Sequence, residues 1–203
     1  MTSPKLYDFP ESGNSYKVRL LINLLNLPVD IEKMDALAGA CRTEDFKKKN
    51  VDQRLPLLEL PDGTRIAESN AILHYLARGS DLASDDPVDE AQILRWMFFE
   101  QNQIESKVAE VRFIYHYVPI EKQNKPFLEE LANRANRALQ VMDDHLEKND
   151  FFACNRFTIA DIALYAYTHV AGEAGFELSH FPNIQTWIKR VEERERFIPF
   201  TER

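Results

Sequence analysis

The chain of 203 residues sets 33 Asp and Glu against 25 Lys and Arg, a formal net charge of −8, and its isoelectric point is near 5.2. This acidic surplus argues against a nucleic-acid-binding face and against a polybasic membrane-surface helix, both of which need clustered cations. With 44% apolar and 29% charged residues, 6 Gly and 10 Pro, the composition is that of a globular protein, neither disordered nor collagenous, with room for one large domain or two small ones.

Lys5-Leu6-Tyr7-Asp8-Phe9 alternates in polarity at period two and reads as a first strand. A turn, Pro10-Glu11-Ser12-Gly13-Asn14, follows. Val18, Leu21 and Leu25, with Leu20, Leu24 and Leu27, then recur at spacings of three and four until Pro28, which predicts a helix of about three turns. Val29 to Met34 alternates again and predicts a second strand. Connections of this length make a parallel βαβ unit with a right-handed crossover. Residues 36–50 contain the polar run Glu44-Asp45-Phe46-Lys47-Lys48-Lys49-Asn50 and read as a solvated helix or loop. Leu55 to Leu60 and Arg65 to Ala67 flank Pro61-Asp62-Gly63-Thr64 and predict a β-hairpin. Glu68-Ser69-Asn70 then opens the apolar pattern Ala71, Ile72, Leu73, Tyr75, Leu76, a helix that fades at Gly79.

Residues 80–86, polar and rich in breakers, read as a linker between a first domain, 1–79, and a second, 87–203. The second domain shows only helical patterns, at about 87 to 117, 125 to 148, 158 to 171 and 182 to 197. The expected fold class is therefore an α/β domain of order βαβ-α-ββα followed by an all-α domain. Thr158-Ile159-Ala160-Asp161 has the spacing of a capping box, with Phe157 and Ile162 placed as its hydrophobic staple. The N-terminal residues MTSPKLYDFP lack a basic region followed by an apolar one, and no stretch approaches roughly 18 apolar residues, so a cytoplasmic protein with no membrane partner is expected. Cys41 and Cys154 lie far apart with no Cys-x-x-Cys pair or neighbouring Cys/His cluster, so no metal site or dithiol chemistry is expected.

Three clusters in the first domain are candidates for chemistry. Ser12-Gly13-Asn14-Ser15 stands before a helix, where Asn14 or Ser15 can act as a cap and a hydroxyl beside unpaired amides can hold an anion. No His/Asp partner pattern makes Ser12 a nucleophile, so its role, if it has one, is that of a donor. Arg54-Leu55-Pro56 opens a strand; Glu68-Ser69 opens a helix. The last pair can serve as cap and dipole-complementing acid, or can bind both charges of an amino-acid head, Glu68 taking an ammonium and Ser69 a carboxylate.

The order of these features, with Asn50 to Leu58 and Glu68 to Leu76 as the most recognisable stretches, resembles the cytosolic glutathione transferase superfamily across the whole chain. Asn50-Val51 departs from the Asn-Pro of many members, in a loop away from the proposed contacts. The resemblance implies a thioredoxin-like first domain and makes Pro56 a cis-proline that turns the Leu55 backbone outward to pair with the cysteinyl unit of glutathione. It also implies that Glu68 and Ser69 hold the γ-glutamyl head and that Arg54 faces the glycine carboxylate. The first turn lacks the cysteine of the thiol-handling branches, and Tyr7, a candidate for the tyrosine branches, is better placed to pack. Ser12 and Asn14 instead resemble the serine-type and nu-like turns that approach the glutathione sulfur, with Lys17-Val18-Arg19 as structural support.

On this resemblance glutathione is a co-substrate, no further cofactor is implied, and its thiolate attacks a small hydrophobic electrophile. A glutathione-dependent disulfide reductase or peroxidase without an enzyme cysteine, and a non-catalytic interaction module, are the alternatives. The electrophile pocket is expected between the domains, against the helix carrying Phe98, Phe99, Arg112, Phe113, Tyr115 and Tyr117. Arg112, Phe113 and Tyr115 are its named candidates, with an ion pair from Arg112 to Glu105 or Glu110 as the structural reading. A homodimer is implied by the family alone.

Overall fold

The structure, a computed structural model, describes residues 3–200. They group into two compact units, residues 3–80 with 195–200, and residues 81–194.

The first unit opens with β1 (Lys5–Asp8), α1 (Gly13–Leu24) and β2 (Asp30–Lys33). A short 3-10 turn and α2 (Glu44–Lys49) lead to β3 (Leu57–Glu59), β4 (Arg65–Ala67) and α3 (Ser69–Ala77). The sheet order is β2-β1-β3-β4. β1 and β2 run parallel, with Leu6 opposite Ile31, while β3 is antiparallel to both β1 and β4. Alternation along the central strands sends their side chains to opposite faces. Leu6 and Leu58 join Val18, Ile22 and Ile72 of α1 and α3 on one face; Tyr7 and Leu57 join Cys41 and Phe46 on the other. Tyr7 is thus a packing residue, with its hydroxyl accepting from Lys49 Nζ at 2.7 Å.

Two departures from the sequence pattern have clear causes. β2 alternates as expected but lies at the sheet edge with all four residues exposed, Ile31 among them. In α1, residues 15–22 are all buried. The far side of this helix is covered by the tail, which the helical pattern had carried into the second domain. Tyr16 donates its hydroxyl to the Ile198 carbonyl at 2.7 Å, its ring meets Phe200 edge-on at 5.2 Å, and Asn23 Nδ2 donates to the Arg196 carbonyl.

The second unit contains α4 (Pro87–Phe99), a π-helical turn (Glu100–Glu105), α5 (Ser106–Tyr117), α6 (Lys125–Leu146), α7 (Ile159–Thr168) and α8 (Pro182–Glu192). Every residue of α7 is buried. Its capping box forms: Thr158 N donates to Asp161 Oδ2 at 2.9 Å, and the Thr158 hydroxyl accepts from the helix amides. The same carboxylate also accepts from Phe152 N at 3.2 Å and Trp187 Nε1 at 3.0 Å, tying α7 to α8. Residues 81–86 of the expected linker are part of this unit: Leu82 is buried, its carbonyl accepts from Ile159 N at 3.0 Å, and Arg156 donates to the Asp81 and Ala83 carbonyls. Among the described residues no helix is long and apolar enough to cross a membrane.

Candidate functional site

The first turn is fastened from inside the unit. Asp8 is wholly buried and pairs with the buried Arg19, whose Nη2 also donates to the Pro10 carbonyl at 3.0 Å. One guanidinium therefore holds the end of β1 and the start of the turn together. Burial pushes the Asp8 carboxyl above the ordinary carboxylate range, against the downward pull of Arg19.

Ser12 rather than Asn14 or Ser15 is the N-cap of α1. Its Oγ accepts from Ser15 N at 3.3 Å, while the buried Ser15 hydroxyl accepts from Phe9 N at 3.2 Å. A hydroxyl that accepts from an amide still has its own proton to donate. Ser12 can therefore cap the helix and act as a donor toward a ligand at once.

Asn14 is where the first turn meets the start of α3. Its Oδ1 accepts from Lys17 Nζ at 2.8 Å and from the Ser69 hydroxyl at 3.2 Å, although Asn14 and Ser69 are 55 residues apart. Ser69 is buried at the first residue of α3, so its hydroxyl is spent inward and its backbone amide, at the helix N-terminus, is the group suited to an incoming carboxylate. Glu68, just before it, is exposed and makes no side-chain cap. It sits at φ 69°, a left-handed conformation that a non-glycine residue adopts only when its surroundings hold it there.

The Leu55–Pro56 bond is cis. The ladder of β3 with β1 and β4 begins at Leu57, so Leu55 precedes it, half-buried, with Pro56 buried behind. The approach to this bond is built by a residue that sequence reasoning passed over. Buried Asn50 donates from Nδ2 to the Arg54 carbonyl at 3.0 Å, and its Oδ1 accepts from Asp52 N at 3.2 Å. The Asn-x-Asp spacing was a visible sign of such a turn. The Arg54 side chain is exposed.

Ser12, Asn14, Leu55, Pro56, Glu68 and Ser69 all belong to one unit, and Asn14 and Ser69 touch. The candidates on α5 do not converge in this way. Arg112 pairs through Nε with Glu173 Oε2 at 2.6 Å, and His116 lies 3.3 Å from the same oxygen. Phe113 packs on Tyr117 with ring centroids 5.1 Å apart, and Tyr115 lies against Gly175. Within the first unit, an open groove of about 430 Å³ lies beside the first turn, lined by Phe9, Pro10, Glu11, Lys33, Met34, Asp35 and Leu37. Burial pushes both the Cys41 and Cys154 thiols up, away from the thiolate form. Among the described residues no group of three or more His, Cys, Asp or Glu is placed to hold a metal.

Residues 3–78 match the family model described as the glutathione S-transferase N-terminal domain, and residues 108–195 match its C-terminal domain. A solved structure described as a possible glutathione S-transferase from Rhodopseudomonas palustris is 45% identical, covering 100% of this chain and 91% of that one at a TM-score of 0.93. The glutathione S-transferase of Pseudomonas fluorescens Pf-5 is 43% identical at a TM-score of 0.94, covering 99% and 100% of the two chains. Elongation factor 1-gamma of Artemia salina is 29% identical over 96% of this chain, which spans 46% of that protein's length.

Proposed function

The chain belongs to the glutathione S-transferase family, and from that premise we propose that it is a glutathione transferase that activates bound glutathione as a thiolate for attack on a small electrophile. What supports this most is the meeting of Asn14 and Ser69, which joins the first turn to the start of α3 beside the exposed Glu68. In this reading Glu68 takes the glutathione ammonium and the Ser69 amide its γ-glutamyl carboxylate. Leu55, turned by the cis bond, pairs its backbone with the cysteinyl unit, and Arg54 faces the glycine carboxylate.

A free thiol has a pKa of about 8.5 and is only a few per cent thiolate at neutral pH. The Ser12 hydroxyl and the Asn14 amide, at the positive end of α1, lower that pKa by donating to the sulfur. The thiol proton leaves to solvent, the sulfur lone pair forms the bond to the electrophilic carbon, and the leaving group departs with its bonding pair. Glutathione is the only co-substrate and the protein supplies no cofactor. The groove formed by Phe9, Pro10, Met34 and Leu37 offers apolar surface beside the turn, and it joins Arg112, Phe113 and Tyr115 as a candidate for the electrophile. The protein acts in the cytoplasm as a homodimer, in which the exposed Val51, Val88 and Phe98 are surfaces available for burial.

Retention on immobilised glutathione, followed by turnover of a chlorinated dinitrobenzene and of a small disulfide, tests this reading. Turnover of the disulfide alone makes the protein a reductase whose thiol is borrowed from glutathione. Folded protein that neither binds nor turns over either substrate refutes the enzyme readings. That outcome leaves the interaction module, the reading favoured by likeness to elongation factor 1-gamma over 96% of the chain.

A further inference from the structure

Lys17 stands on α1 with no side-chain exposure, in a helix whose neighbouring positions 16, 18, 20 and 21 are filled by Tyr, Val, Leu and Leu. A buried ammonium is costly unless its surroundings use it, and an aliphatic side chain would fit the stem. Its Nζ lies 2.8 Å from Asn14, one helical turn earlier. An ammonium can only donate, so the Asn14 atom facing it must be the carboxamide oxygen. The Ser69 hydroxyl reaches that same oxygen at 3.2 Å. Lys17 and Ser69 thus donate to the same oxygen, and the carboxamide's own donor atom is its nitrogen.

We propose that Lys17 is the positioning residue of the thiolate site: with Ser69 it locks the Asn14 carboxamide oxygen inward, so that Asn14 presents its amide nitrogen, and not its oxygen, to the glutathione sulfur. This rests on the glutathione reading above. The orientation sets the sign of the interaction. An amide N–H stabilises a thiolate, whereas the flipped carboxamide would set a carbonyl oxygen against it. The ammonium also polarises the carboxamide and strengthens its N–H as a donor. Lys17 acts on the sulfur through Asn14 without touching the ligand.

The test compares wild type with Lys17→Met, Asn14→Ala and the double variant, following thiolate absorbance of bound glutathione against pH and binding of S-methylglutathione, which has no thiol to ionise. Lys17→Met is expected to raise the apparent thiol pKa by about one unit, a tenfold shift of the thiol–thiolate equilibrium, with S-methylglutathione affinity within about twofold of wild type. In the Asn14→Ala background the same substitution should change the thiol titration by less than about twofold. Equal shifts with and without Asn14 overturn the proposal, because the charge would then act directly; no shift in either background overturns it as well.

A second measurement separates this inference from the identity of the ligand. In ligand-free protein with ¹⁵N-labelled asparagine, Lys17→Met and Ser69→Ala, which each withdraw one donor, should both move the Asn14 carboxamide signals. Unmoved signals in both variants overturn the lock. Moved signals in a protein that binds no S-methylglutathione refute the glutathione reading and leave the lock standing, and either variant suffices if the other fails to fold.

Discussion

Asp161 offers the sharpest energetic test, because its role in the structure exceeds the cap visible in the sequence. Loss of an N-cap alone costs about 1 kcal/mol. Asp161→Ala, however, strands three buried N–H donors, those of Thr158, Phe152 and Trp187, at about 1–3 kcal/mol each. Part of this is offset. Burial pushes the carboxyl up to about 6, with the hydrogen bonds from Thr158, Trp187 and Phe152 pulling the other way. Keeping the group ionised at neutral pH therefore costs about 3 kcal/mol, roughly two units at about 1.4 kcal/mol per unit. With each donor taken at about 2 kcal/mol, the net expectation at pH 7 is a loss of about 3 kcal/mol, read by urea unfolding.

The sign of the pH dependence follows from linkage. A native carboxyl whose pKa is raised above the unfolded value binds protons that the unfolded chain does not, so its stabilising contribution grows as pH falls from about 6 toward 4 and is lost as pH rises through that window. Between pH 7 and pH 5 wild type should gain about 1 kcal/mol relative to Asp161→Ala. A difference below about 1 kcal/mol at pH 7, or one that shrinks on acidification, refutes the reasoning.

Four further outcomes follow from the site and its surroundings. Ser69→Ala removes one donor from Asn14 but keeps the backbone amide that takes the carboxylate, so the apparent thiol pKa of bound glutathione should rise while S-methylglutathione affinity by calorimetry stays within about twofold of wild type. Asn50→Ala releases the loop ahead of Leu55; it should cost about 1–2 kcal/mol in urea unfolding and expose residues 50–54 to limited proteolysis. Arg112→Ala breaks a partly exposed ion pair and should cost less than about 1 kcal/mol. The same variant tests Arg112 as a candidate for the electrophile: a tenfold rise in the KM for a chlorinated dinitrobenzene supports that role, and a KM within about twofold of wild type removes it. The double variant Cys41→Ala, Cys154→Ala should keep kcat within about twofold, because neither thiol takes part in the step; loss of turnover in a folded double variant would locate the working sulfur on the protein.

The legible parts of this fold are those in which a periodic pattern meets a single partner surface. β1, the hairpin, α3 and the helices of the second unit could be read from spacing alone, as could the box at Thr158 and Asp161, whose members are three residues apart. What escaped reading depends on partners distant in sequence. α1 carries Lys17 and Arg19 among apolar neighbours, which looks like a conventional wet face; Asn14 and Ser69 on one side, Asp8 and Pro10 on another, and the tail near Ile198 make it buried instead. Arg112 pairs with Glu173, 61 residues away, a partner that no spacing along its own helix suggests. Pro56 was assigned its cis bond from family likeness, because no local propensity distinguishes it from an ordinary strand-opening proline. The capping of α1 by Ser12 was not legible, since Asn14 and Ser15 were equally good candidates by type.

The same network bears on the choice between enzyme and interaction module. A docking surface is made of side chains that face outward, and selection for docking places no demand on a lysine sealed inside α1 or on a serine hydroxyl turned toward Asn14. Those groups are costly to desolvate and contribute little to packing that leucine or alanine would not. In the glutathione reading they have a chemical consequence, the orientation of one carboxamide. The two thiols of the chain are both pushed toward the neutral form by burial, which agrees with the proposed reading in which the anionic sulfur arrives with the ligand. A fixed N–H donor for that sulfur is then more useful than a nucleophile of the protein's own. A thiol titration of bound glutathione that is indifferent to Ser69→Ala would break this chain of argument at its first link.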